Sequence, residues 1–325
     1  MVHSTKYEGT FNMQRRQFLK NSVVTTASLA CAANLPAADR PTGPVVDIHQ
    51  HVNFRDRSDA VLLKHQKQMG ISKTILLPAG SPMSRSSTLN GKGNGLAADV
   101  FGTQAAASLV EKYPGAYAFF CNEVPDAEGA TRRIESWLER GAIGIGESKF
   151  HLEIDSPPML RLYEIARAWK VPILMHFQHK TYNMGFERLP KILEKFPTVN
   201  FIGHAQTWWG NISAGHDQTV MYPDTPVTPG GITDSLLRDF PNIFGDLSAG
   251  SGLRAMLRDE DHAAAFMDRH HKKLFYGSDC NDIAGEGDKC SGSRQLAMVR
   301  KLVKDPKKQH AILFGNANRV IFGKS

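Results

Sequence analysis

Asp47-Ile48-His49-Gln50-His51 closes a short apolar run, Val45-Val46, that reads as a β-strand. Side chains alternate faces along a strand, so His49 and His51 point the same way, with Asp47 on that face but deeper. Two imidazoles side by side at a strand end form half of a divalent-metal site. On a solvated strand face the same pair would be two ordinary polar residues, so the ends of the other strands decide between the readings. Gly144-Ile145-Gly146-Glu147-Ser148-Lys149, Pro172-Ile173-Leu174-Met175-His176, Asn200-Phe201-Ile202-Gly203-His204 and Leu274-Phe275-Tyr276-Gly277-Ser278-Asp279 each run from apolar residues into a ligand-type side chain. An imidazole or carboxylate at a buried strand end is costly without a partner, and a metal cluster supplies one. Neutral imidazoles suit zinc-like ions, and carboxylates add charge and can bridge two. A divalent metal lowers the pKa of bound water to about 7, and a carboxylate beside that water can carry its proton.

The elements that must position these groups alternate. β-branched runs at 45–52, 73–78, 116–122, 142–150, 171–177, 200–205, 242–248 and 274–279 predict strands. Segments at 59–69, 105–113, 130–140, 158–169, 189–196 and 294–303 have helical periodicity. Strand–helix alternation predicts parallel strands with right-handed crossovers, and eight units predict a (β/α)8 TIM barrel as a single domain over 44–323. A doubly wound open sheet is the alternative, but no glycine-rich fingerprint follows the first strand. Two long connections, 80–99 and 206–232, leave strand C-termini, where barrel active sites are built, so both are candidate substrate loops; simple surface insertion is the other reading.

With those motifs in order, the chain resembles the amidohydrolase superfamily of metal-dependent barrels, most closely its amidohydrolase-related branch. The resemblance runs from Val45-Val46-Asp47-Ile48-His49-Gln50-His51 through Tyr276-Gly277-Ser278-Asp279 to Ile312-Leu313-Phe314-Gly315-Asn316-Ala317-Asn318-Arg319-Val320-Ile321-Phe322. It implies that His49 and His51 bind a first metal, completed or adjoined by His176 and Asp279. In two-metal members a strand-4 acid or carboxylated lysine bridges the ions, and the strand-5 and strand-6 histidines, here His176 and His204, hold the second. Glu147 fits the acidic bridge and Lys149 competes with it, as a carboxylated bridge or a substrate-binding cation. One-metal members leave the strand-6 histidine free to polarise substrate; two ions, most simply zinc, are the expectation here. Asp279 is the implied general base. The implied reaction is attack of metal-activated water on the carbonyl of an amide, lactone or ester of a small molecule. Metal-dependent decarboxylation and phosphoester hydrolysis are the alternatives, and a non-catalytic barrel is disfavoured by the complete ligand set.

The chain has 325 residues, 41% hydrophobic and 22% charged, enough for one large barrel. Its formal charge is +7, but Lys6, Arg15, Arg16 and Lys20 against Glu8 lie in residues 1–38, leaving +4 on the remainder. So small and scattered an excess gives no support for a nucleic-acid partner. Arg15-Arg16-Gln17-Phe18-Leu19-Lys20, followed by the mildly apolar 22–33 and Leu35-Pro36-Ala37-Ala38, resembles a twin-arginine export signal, with Met13 as the start. The expected location is therefore periplasmic or otherwise extracytoplasmic; a disordered tail is the alternative. The apolar run is too short and polar for a stable membrane span, and Ser28 makes a poor lipidation box with Cys31. Of the other cysteines, Cys121 lies in a strand, and Cys280 and Cys290 could pair, though nothing requires it.

The remaining groups carry weaker expectations. Asp47 reads as a structural partner, and Trp208 and Trp209 as walls of a substrate pocket or loop packing. His216 reads as exposed, His270 and His271 as solvated or helix-capping, and His151 and His179 as mouth residues. Arg85 and Arg254 are candidates for a substrate carboxylate. Gly315-Asn316-Ala317 is expected to cap and start the last helix. Substrate and oligomeric state are not encoded at this level.

Overall fold

The computed structural model describes residues 43–78 and 100–323. The expected export signal, the 80–99 loop and Arg85 lie outside the described residues. Eight short parallel strands follow one another around a barrel. β1 (Val46–Gln50), β2 (Lys73–Leu76) and β3 (Tyr117–Phe119) form one ladder. β4 (Ile145–Ser148), β5 (Ile173–His176), β6 (Phe201–His204), β7 (Ile243–Asp246) and β8 (Leu274–Phe275) form the other. Cys121 pairs in parallel with Ile145 across the β3–β4 seam. The β8–β1 seam is closed by Ile48 N–H donating to Tyr276 O at 3.2 Å and Asp279 N–H to His49 O at 2.8 Å. The fold is thus the expected α/β TIM barrel, with strands shorter than their apolar runs. Strand eight stops at Phe275 because Tyr276 N–H turns to Ile312 O at 3.1 Å.

The interior layer holds Val46, Ile48, Ile75, Leu77, Phe120, Leu174, Ile202, Phe244 and Phe275. Alternate residues such as Leu76, Ile173, Met175, Phe201 and Leu274 face the helices. Helix α1 (Asp59–Gln68) starts where Ser58 Oγ accepts Val61 N–H, and α2 (Thr103–Lys112) follows β2. α3 (Ala130–Glu139) buries Ala130, Ile134, Trp137 and Leu138, a helical stripe that covers the sheet. Pro157 and Pro190 sit in the first turns of α4 (Pro157–Trp169) and α5 (Leu189–Lys195), where a missing N–H costs nothing.

The second half carries the helix expected over 294–303 and further helices outside the expected segments. α6 (Gln206–Gly210) and α7 (Ile232–Asp239) bracket the long β6 connection. α8 (Ala249–Leu257) and α9 (Glu260–His270) precede β8, and α10 (Ser291–Leu302) follows it. The chain closes with α11 (Pro306–His310), a π-turn over Ala311–Gly315, and α12 (Asn316–Val320). Gly315-Asn316-Ala317 therefore continues a helical run rather than starting one. Asn316 Nδ2 instead donates to His271 O at 2.7 Å and Leu274 O at 2.8 Å, pinning that run beneath β8. Among the described residues no helix is long and apolar enough to cross a membrane.

Candidate metal centre

Strand parity explains most of the centre. His176 follows the inward Leu174, His204 the inward Ile202, and Asp246 the inward Phe244, each two residues on. Two donors break parity. Val46 and Ile48 face inward, so regular alternation would turn His49 away; the ladder shifts register between Asp47 and Gln50 and His49 enters the barrel. The β4–β5 ladder shifts likewise between Ile145 and Ser148, and Glu147 turns inward although Ile145 faces the helices. Such irregularities are how a sheet re-aims a side chain.

Asp47 does not share the histidines' face, contrary to the alternation argument, but its structural role holds. Its carboxylate accepts Ser278 N–H at 2.8 Å, Gln66 Nε2–H at 2.8 Å and His49 N–H at 3.1 Å, tying β1 to α1 and the segment after β8. Gln50 and Arg57 strengthen that tie: both donate to Cys280 O, at 2.8 and 2.7 Å. Gly203 before His204 has a packing reason: a Cβ there would lie 2.4 Å from the Trp208 ring.

The six predicted site residues converge at the C-terminal ends of the strands. His49 Nε2 and His51 Nε2 are 3.3 Å apart. Asp279 Oδ1 lies 3.2 Å from His51 Nε2, and its Oδ2 lies 3.8 Å from His49 Nε2 and 3.7 Å from His204 Nε2. Glu147 faces two ways. Its Oε2 is 3.8 Å from His49 Nε2 and 3.9 Å from His51 Nε2, while Oε1 is 2.5 Å from His176 Nδ1 and 3.8 Å from His204 Nε2. Asp279 has a backbone φ of 41° and Ala205, directly after His204, a φ of 79°, so strained backbone lies at one ligand position and beside another. Lys149 Nζ lies 5.3 Å from the Tyr182 ring centroid, and its charge acts on both Glu147 and His176.

Asp246 is the functional residue the sequence reading missed. Its Oδ2 lies 2.7 Å from His49 Nδ1 and 3.1 Å from His204 Nδ1, and accepts Ser248 Oγ–H at 2.8 Å. His51 Nδ1 is 2.7 Å from Leu77 O. Each of these three rings is therefore held by its Nδ1–H, which leaves Nε2 as a bare donor aimed at the centre. The available signal was that Asp246 ends strand seven in phase with inward residues.

The electrostatics ask for a cation. Burial disfavours charge on His49, yet Asp279 and Asp246 override it and raise its pKa to about 10. Burial likewise opposes ionisation of Asp246, and His49 and His204 hold it below the usual carboxylate range. Asp279 is held down in the same way by His49 and His51. Burial, then Lys149, lowers His176 to about 4, keeping it neutral and able to coordinate. Three carboxylates and four imidazoles within this space fit a divalent metal. The spacings suit nitrogen and oxygen donors with bonds of about 2.0–2.2 Å. His49, His51 and Asp279 form one possible ligand group and Glu147, His176 and His204 another.

Other expected residues lie as follows. Trp208 and Trp209 are fully buried and do not wall a pocket: Trp208 stacks on Phe177, and Trp209 Nε1–H donates to Asp246 O at 2.9 Å, steadying the missed carboxylate. His216 is half-buried over Gly210 rather than exposed. His270 is buried, its Nε2 2.5 Å from Asp234 Oδ1, whereas His271 caps its helix through Asp268 O. His151 is exposed and bonds Thr181 O. His179 lines a cavity of about 360 Å³ with Gln178, Lys180, Asn183 and Gln218, beside rather than around the donors. The 206–232 loop does reach the mouth: Tyr222 OH takes Gln206 Nε2–H at 3.0 Å, and Arg254 stacks 5.2 Å from its ring centroid.

Comparison with known proteins agrees with this architecture. The sequence matches the amidohydrolase family over residues 46–322. No curated protein sequence matches it. Among solved structures, an uncharacterised TIM-barrel protein of Bordetella bronchiseptica superposes with a TM-score of 0.59 at 12% identity, covering 86% of this chain and 99% of that one. A dihydroxybenzoic acid decarboxylase of Polaromonas sp. JS666, with bound manganese and 2-nitroresorcinol, gives 0.56 at 12% identity over 86% and 97%. A probable 2-pyrone-4,6-dicarboxylic acid hydrolase of Acinetobacter baumannii gives 0.54 at 12% identity over 86% and 100%.

Proposed function

From the premise that this chain belongs to the amidohydrolase family, we propose that it is a metal-dependent hydrolase acting on the carbonyl group of a small amide, lactone or ester. The observation that carries the reading is the placement of Glu147: one carboxylate oxygen faces His49 and His51, the other His176 and His204. That is the disposition of a bridge between two cations, with Asp279 beside the first pair. His49, His51 and Asp279 would hold one ion and His176 and His204 the other, most simply zinc. Bound divalent metal supplies Lewis acidity and a water acidic enough to ionise near neutral pH.

The protein's own groups handle orientation and protons. Asp279 is the only one of the three carboxylates with appreciable exposure, 16% against 3% for Glu147 and none for Asp246. It is held ionised by His49 and His51 despite burial, and its Oδ atoms would be placed to take a proton from the attacking water and return it to the leaving group. Asp246 fixes the imidazole tautomers. Should one ion suffice, His204 is free to face the substrate, and holding the carbonyl oxygen would require a proton on Nε2 as well as on Nδ1. Lys149 and Arg254 supply cations at the rim for an anionic substrate.

Decarboxylation of an aromatic acid is the second reading. It is favoured by the structural relatives that are 5-carboxyvanillate, 2,6-dihydroxybenzoate and dihydroxybenzoic acid decarboxylases, two of them solved with manganese. The discriminating experiment is a screen of lactones, amides, esters, phosphoesters and aromatic carboxylates in isotopically labelled water. Water oxygen retained in the carboxylate product supports hydrolysis; release of carbon dioxide with no water oxygen in the remaining organic product supports decarboxylation. Turnover that survives both chelation and Asp279→Asn would refute the metal mechanism. The same proposal assigns residues 1–38 to a twin-arginine leader and 44–323 to the catalytic barrel. Cell fractionation with Arg15 and Arg16 changed to Lys tests it: the product should stay in the cytoplasm.

A further inference from the structure

A second group of metal-type side chains lies behind the barrel mouth, where α1 meets the segment after β8. His65, Cys280 and Cys290 are all buried, and their donor atoms lie within 4.8 Å of one another. Cys280 Sγ and Cys290 Sγ are 3.7 Å apart, Cys290 Sγ is 3.4 Å from His65 Nε2, and Asp282 Oδ2 is 3.8 Å from His65 Nε2. A disulfide would need the sulfurs at about 2.05 Å. Two thiolates on one tetrahedral ion, each bonded at about 2.3 Å, instead stand about 3.8 Å apart, and a thiolate and an imidazole about 3.6 Å. The observed spacings follow the second pattern. The surroundings agree with it: His65 Nδ1 lies 3.1 Å from Gln66 Oε1, so an Nδ1–H donated there leaves Nε2 bare, and Ser293 N–H donates to Cys290 Sγ at 3.3 Å.

We propose that His65, Cys280 and Cys290 form a structural site for a zinc-like divalent ion, distinct from the centre in the barrel mouth. The donor set is the sulfur and nitrogen mixture that such ions prefer. An ion there would clamp α1 to the segment that begins at Asp279, since Cys280 is its direct neighbour and Cys290 caps α10. Its role would be to hold the Asp279 backbone, φ 41°, in place. The proposal stands whether the barrel hydrolyses or decarboxylates.

The probe is cobalt(II) added alone to the full-length protein stripped of metal under reducing conditions. The expected result is thiolate-to-cobalt charge-transfer absorption in the near ultraviolet. Cys290→Ser should abolish it and remove one equivalent of bound metal, while His51→Ala, which touches only the mouth, should keep it. Because Cys290 also caps a helix, alkylation of the unmutated protein is the second measurement: zinc should protect Cys280 and Cys290, and chelation should expose them. Absence of the charge-transfer band, a Cys280–Cys290 crosslink in the reduced and metal-loaded protein, or alkylation rates unchanged by zinc would each overturn the assignment.

Discussion

Asp246→Asn is the most informative perturbation of the barrel centre. The change preserves shape and one oxygen but removes the charge that faces two imidazoles at 2.7 and 3.1 Å. Loss of a carboxylate behind a metal-binding histidine typically costs about 10- to 100-fold in metal affinity, or about 1.4–2.7 kcal/mol. Because Asp246 serves both His49 and His204, the expected loss is near the upper end, about 100-fold. The amide also offers an N–H where each ring presents its own, so one ring must turn or change tautomer, misdirecting Nε2. The assay is a competition titration of the metal-free protein against a chromophoric chelator, with circular dichroism to confirm the fold. Ser248→Ala, which removes a neutral hydroxyl from the same carboxylate, should lose much less. An Asp246→Asn protein that folds and binds metal within about threefold of the unmutated chain, well under the range for such partners, would refute the orienting role.

Three further outcomes follow from the geometry. Gly277→Ala would place a Cβ 2.5 Å from Asp246 Oδ1 and 3.0 Å from His49 Cβ; it should cost about 1–3 kcal/mol in urea unfolding and weaken metal binding in parallel. Lys149→Met should leave metal content unchanged, because its ammonium sits over Tyr182, and should raise KM for an anionic substrate about 10- to 100-fold with kcat preserved, the equivalent of one charged hydrogen bond; a fall in metal content would instead make Lys149 the strand-four bridge. Burial opposes ionisation of Asp234, but His270 and Arg269 hold its carboxyl below the unfolded value of 3.8, so it stabilises the fold above that value and the contribution fades as pH falls through it. The gap in urea stability between the unmutated protein and Asp234→Asn should therefore be full at neutral pH and shrink below about pH 4; a gap independent of pH would refute the assignment.

Much of the barrel centre was legible because ligand types ended apolar runs in a fixed order: His49 and His51, Glu147, His176, His204, Asp279. Alternation also served where strands were regular, as at His176 and His204. It failed for Asp47 and passed over the reason His49 and Glu147 enter the barrel, because register shifts in β1 and β4 depend on the neighbouring strands. Trp208 and Trp209 read as pocket walls or loop packing from their place after His204; Phe177 and Phe186 close over Trp208 and decide for packing, and a contact of that kind is not written in local pattern.

The sequence by itself determined the order of strands and helices and the chemical types delivered to each strand end, since both follow from local hydrophobic period and from residue identity. Only the tertiary structure decided which groups work together. Asp246 meets His49 across 197 residues of chain, and Cys290 meets His65 across 225. Closure of the barrel brings those pairs into contact, and burial then turns proximity into function: away from water, each imidazole is locked to one partner and each carboxylate calls for a cation.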